Sequence, residues 1–73
     1  MENELVKFLK ERRRMLGLTQ EDLARRAGVG LRFIREMEQG KQTLRLDKIN
    51  QVLALFGYEM QPQAQNRNKV DNA

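Results

Sequence analysis

No histidine and no cysteine occur among the 73 residues. That removes the ordinary zinc ligands and the commonest general base. The serine-like hydroxyls are those of Thr19 and Thr43, and neither has a base beside it in sequence. A glycine-rich phosphate loop is also missing. An activated nucleophile is hard to assemble from this set, so the chain reads as a non-enzyme without a cofactor. What it does supply is charge. Charged residues are 33% of the chain, with 14 Lys+Arg against 10 Asp+Glu and a formal net charge of +4. That excess suits an anionic partner, although a charge of this size also serves solubility alone. Between Arg12 and Gly57 ten cationic residues face five anionic ones, so the excess belongs to this stretch and not to the C-terminal tail.

Two of these charges stand where apolar side chains are expected. Leu5, Phe8, Leu9 and Leu16 fall on one helical stripe, and Arg13 lies on it between Leu9 and Leu16. Ile34 and Met37 mark another inward face, which Glu38 continues. An unpaired buried charge is costly, so Arg13 and Glu38 are expected to pair and lock the first helix to the third. The alternative is that Arg13 reaches solvent along its methylenes and Glu38 merely ends a helix.

Four helices between Asn3 and Phe56 would position these groups, which predicts an all-α fold. The first runs from Asn3 or Glu4 to Leu16 and stops at Gly17. Thr19 caps the second, with Asp22 three residues on as its capping-box partner. Leu23, Ala24 and Ala27 face inward, and Gly28 ends the helix with positive φ. The third starts at Leu31 behind Gly30, a weaker N-cap than serine or threonine, and ends at Gly40. The fourth begins near Leu46, carries Leu46, Ile49, Val52, Leu53 and Phe56 on its stripe, and ends at Gly57. Tyr58 and Met60 then alternate with polar residues until Pro62. This extension, 58–62, is either plain coil or a strand that pairs with its copy in a second subunit. Residues 63–73 are polar without an apolar period and are expected to be a disordered tail.

Gln20 to Gln39 form one unit. Ala24 sits where two helices would cross closely, Gly28 at a tight turn, and Ile34 and Met37 where the second helix packs on the first. That is the spacing of a helix-turn-helix; an ordinary αα-corner in a small bundle is the plainer alternative.

The stretches Gly17-Leu18-Thr19-Gln20-Glu21-Asp22-Leu23-Ala24, Ala27-Gly28-Val29 and Ile34-Arg35-Glu36-Met37-Glu38-Gln39-Gly40 closely resemble the phage repressor and Cro, or XRE-type, helix-turn-helix proteins. The resemblance covers about Arg13 to Gly57, and Arg13 with Glu38 matches that family's interhelix ion pair. Within the family, Leu46 to Gly57 looks like the HipB-type antitoxins, which repress their own operon and bind a HipA-type kinase toxin. The resemblance implies a repressor-like DNA-binding domain over residues 1–57. It also implies a homodimer on a palindromic operator, with half-sites about one helical turn apart. A module that mainly binds and neutralises a partner kinase, with weak or no specific DNA binding, is the second reading.

In the implied docking mode the third helix enters the major groove by its N-terminal end. Its outward face offers Leu31, Arg32, Arg35 and Glu36. The arginines have the forked donors that read guanine O6 and N7. Glu36 would accept from a cytosine amino group or orient an arginine. Leu31, where the family often has a polar residue, would touch a thymine methyl or simply pack. Phe33 would pack or meet a base. Phosphate contacts are expected at Gln20 and Gly30, near two helix starts where free N–H groups favour an anion. Gln39, Lys41, Arg45 and Lys48 would flank the groove and position the protein without reading sequence. Arg12, Arg14, Arg25 and Arg26 add charge as a solvated face. Phe56, Tyr58 and Met60 are the candidate dimer surface.

The start Met1-Glu2-Asn3-Glu4 is acidic with no apolar run behind it, unlike a secretory signal. Val52 to Phe56 is far too short to span a bilayer, so no membrane partner is expected and a cytoplasmic location is.

Overall fold

The computed structural model describes residues 3–65. It contains four helices: α1 (Glu4–Met15), α2 (Gln20–Ala27), α3 (Leu31–Glu38) and α4 (Leu46–Ala54). No strand occurs among the described residues, so the fold is all-α. Most of the predicted tail, residues 66–73, lies outside the described span, and residues 63–65 are exposed coil.

Local chemistry sets most helix ends. The Asn3 side chain accepts from the Val6 backbone N–H at 2.8 Å and starts α1. Thr19 and Asp22 form both halves of a capping box at 3.0 Å each, which fixes where α2 begins. Gly28 closes α2 at φ 77°, a left-handed conformation that glycine adopts at little cost. Gly30 starts α3 without a side-chain cap.

Packing follows from the inward faces. α2 lies against both α3 and α4, and α1 lies against α3. Leu9, Leu18, Leu23, Ala24, Ala27, Ile34, Met37, Ile49, Val52 and Leu53 form the core. Val6 is buried as well, a position the α1 stripe did not predict. Two stripe positions fail in the opposite sense: Leu16 is 58% exposed and Leu46 57% exposed. Both sit at helix ends, where the stripe runs past the last neighbour that could cover it. α4 also stops at Ala54, three residues before Gly57. Leu55, Phe56 and Gly57 continue as a tighter turn, each donating its N–H to the carbonyl three residues back.

The extension turns back on its own chain. Tyr58 packs edge-on against Phe8 with ring centroids 4.6 Å apart, and Phe8 meets Phe56 at 6.2 Å. The Met60 N–H donates to the Asn50 side chain at 2.7 Å.

Candidate nucleic-acid interface

Arg13 reaches from α1 to the end of α3. Its Nε and Nη2 donate to the two Glu38 carboxylate oxygens at 2.7 and 3.1 Å, a bidentate pair. Its Nη1 donates to the Leu18 carbonyl at 3.0 Å. The Glu38 side chain is 3% exposed and that of Arg13 is 16% exposed. The charges thus occupy core-facing slots and are satisfied there, which ties α1, the α1–α2 loop and α3 into one frame.

Gln20 belongs to the same network. Its side-chain amide donates to Glu38 Oε1 at 3.0 Å. It is expected near a phosphate because it stands at a helix start, but its side-chain amide is engaged by the buried carboxylate, and the residue is half-buried. With Leu31 and Arg35, Gln20 lines a shallow hollow of about 450 Å³ where the beginnings of α2 and α3 converge. The capping box satisfies the Thr19 and Asp22 N–H groups at the start of α2, whereas no side chain caps the start of α3.

The outward face of α3 is strongly cationic but not uniformly so. Arg32 and Arg35 are exposed, and the Arg32 side chain is 90% exposed. Glu36 is half-buried between two cations: Arg32 Nε donates to Oε2 at 3.2 Å, and Lys41 Nζ lies 3.4 Å from the same oxygen. Leu31 and Phe33 are half-buried and pack against the core. Open space surrounds Gly30, and Gln39 is exposed just past α3.

The remaining phosphate candidates gather at the start of α4. Arg45 pairs with Asp47 through Nε and Nη2 at 3.1 and 2.6 Å. That hydrogen bond, from a cation, holds the Asp47 carboxyl below the ordinary aspartate value of 3.8. Lys48 is half-buried and donates its backbone N–H to Asp47 at 2.9 Å. On the cationic face of α2, Arg25 bridges Asp22 at 2.7 Å. Asp22 is likewise held below 3.8, first by the Thr19 backbone N–H.

The three dimer candidates cluster with α1. Leu5, Phe8, Leu53, Tyr58, Met60 and Pro62 line an open, mainly apolar groove of about 920 Å³. Tyr58 and Met60 remain 48% and 42% exposed.

Three residues matter more than their sequence positions indicated. Arg12, expected on a solvated face, lies over the Phe8 and Tyr58 rings at 5.1 and 5.5 Å and donates to the Tyr58 hydroxyl. The Phe8–Arg12 spacing of four is a signal for half of this contact. Lys41 joins Glu36 from the loop after α3. Gln51 donates from α4 to the carbonyls of Ala27 and Gly28 at 2.9 and 3.0 Å, fixing the turn between α2 and α3. Nothing local in the sequence announces that long-range contact.

The uncharacterized HTH-type transcriptional regulator y4mF of Sinorhizobium fredii (strain NBRC 101917 / NGR234) is 49% identical over 45 residues, covering 62% of this chain and 59% of that protein. The chain thus spans somewhat less than two thirds of that relative. No solved structure gives a significant match. No helix among the described residues is long and apolar enough to cross a membrane. Residues 9–62, which hold every contact of the Arg13–Glu38 frame, match the family described as Helix-turn-helix, and to that family the chain belongs.

Proposed function

We propose that the chain is a sequence-specific, double-stranded DNA-binding transcriptional repressor that acts as a homodimer on a palindromic operator. The observation that carries this reading is the setting of α3. Its inner charge is fully paired at the helix base, while Arg32 and Arg35 project from the outward face beside the convergent helix starts. A rigidly seated helix with projecting guanidinium forks suits major-groove guanine edges. The similarity to an HTH-type transcriptional regulator supports the same role. Gln39, Lys41, Arg45 and Lys48 then serve the phosphate backbone, and Gly30 offers its N–H to it. Gln20 serves the backbone indirectly, by bracing Glu38.

The test is a salt titration on a palindrome from the chain's own promoter. Log K should fall linearly with log salt, with slope about −0.9 per phosphate neutralised. A flat plot overturns the DNA reading.

The likeness of Leu46–Gly57 to HipB-type antitoxins supports a finer proposal, that a HipA-type kinase is a partner. The apolar groove beside α1 favours a protein ligand of some kind. Such a kinase encoded next to this chain, and co-eluting with it, is the expected outcome. If the kinase co-elutes and the salt plot is flat, the chain is an interaction module instead.

A further inference from the structure

Glu36 is the acidic side chain on a face otherwise built to meet an anion, and it needs a reason. Both its neighbours are cationic: Arg32 Nε at 3.2 Å and Lys41 Nζ at 3.4 Å, each on Oε2. Its side chain is 25% exposed, against 90% for Arg32. Glu36 therefore lies back along the face while Arg32 projects. Of the two side chains, Arg32 is the one placed to reach a base edge first, and Glu36 stands behind it with Oε2 taken by both cations.

The atoms used are informative. Glu36 takes the Nε–H of Arg32, which leaves both terminal nitrogens of the guanidinium free. Those two nitrogens can make the end-on, bidentate approach to guanine O6 and N7. A long, exposed arginine otherwise samples many rotamers and loses that freedom on binding. An exposed i,i+4 pair adds little to fold stability, so the value of this one lies in placement. Lys41, from the loop after α3, lies on the same Glu36 oxygen and offsets its charge.

We propose that Glu36 is a positioning residue that sets Arg32 for base reading, with Lys41 as its brace, and does not itself read a base. This rests on the DNA reading above.

The experiment selects from a pool of randomised duplex DNA with the wild-type chain and with Arg32→Ala, Glu36→Ala, Glu36→Gln and the Arg32→Ala/Glu36→Ala double variant. Glu36→Ala should weaken the same base pair as Arg32→Ala, whose discrimination should fall by roughly 5- to 150-fold. The double variant should be no worse than Arg32→Ala alone. Glu36→Gln keeps an acceptor for Nε–H and should retain most of that preference. Loss of a different base pair, additive losses, or an equal loss on all sequences overturns the positioning role. A wild-type chain that enriches no motif overturns the DNA reading itself. The link is also read without DNA: the Arg32 Nε–Hε resonance of the free protein should shift and exchange faster in Glu36→Ala. An unmoved resonance overturns the inference even if the DNA reading stands.

Discussion

Removing Arg13 and removing Glu38 are not equivalent changes. Arg13→Ala leaves a carboxylate that is 3% exposed with only the Gln20 amide beside it. An uncompensated buried charge of that kind destabilises by about 3–5 kcal/mol, a large share of a small domain's stability. Glu38→Ala strands an arginine that is 16% exposed and keeps the Leu18 carbonyl as an acceptor. Its long stem lets the head turn toward water, so a loss of about 2 kcal/mol is expected. Urea unfolding of both variants tests the order. A change below about 0.5 kcal/mol in either, the range of neutral surface substitutions, removes the frame argument.

At the scale of elements, the α2–α3 turn and the α2 cap are the sensitive joints. Gly28 has φ 77°, and a Cβ there would lie 3.0 Å from the Gln51 amide nitrogen that secures the turn. Gly28→Ala should therefore cost more than the about 1–2 kcal/mol of left-handed strain alone. Gly57→Ala has φ 81° and open space, so it supplies the strain-only control in the same thermal melt. Equal shifts for the two would show that Gln51 contributes nothing to the turn. The α2 cap is tested by acid. The Thr19 N–H lowers the Asp22 pKa below 3.8 in the folded chain. Its stabilising effect is present above that value and disappears as pH falls through the lower folded value. Asp22→Asn should flatten the fall in melting temperature between about pH 5 and pH 2; an unchanged acid limb excludes Asp22 as a contributor.

For the whole molecule, the decisive question is what covers the groove beside α1. Within one chain, Tyr58 already packs on Phe8 and Arg12, and Met60 is tethered to Asn50. Over a third of each side chain still faces solvent, and a domain this small gains from burying such surface in an oligomer. Deleting all residues after Gly57 should give monomers at micromolar concentration by sedimentation velocity. Because that deletion also uncovers Phe8, circular dichroism must show the helices retained, and the Tyr58→Ala/Met60→Ala pair should give the same result. Unchanged sedimentation rejects the extension as a dimer element.

Helical periodicity, capping chemistry and the two charges on apolar stripes are all local properties. They therefore sufficed to lay out four helices, the turn at Gly28 and the expectation that Arg13 meets Glu38. The cationic excess between Arg12 and Gly57 likewise follows from composition alone. Which hydrogen bonds each polar side chain makes depends on neighbours distant in sequence, and there folding decided. Gln20 turned to Glu38, Gln51 to the carbonyls of Ala27 and Gly28, and Glu36 to Lys41 as well as Arg32. Leu16 and Leu46 match their stripes but lie exposed at helix ends, because a period states which way a side chain faces and not whether anything lies there to cover it.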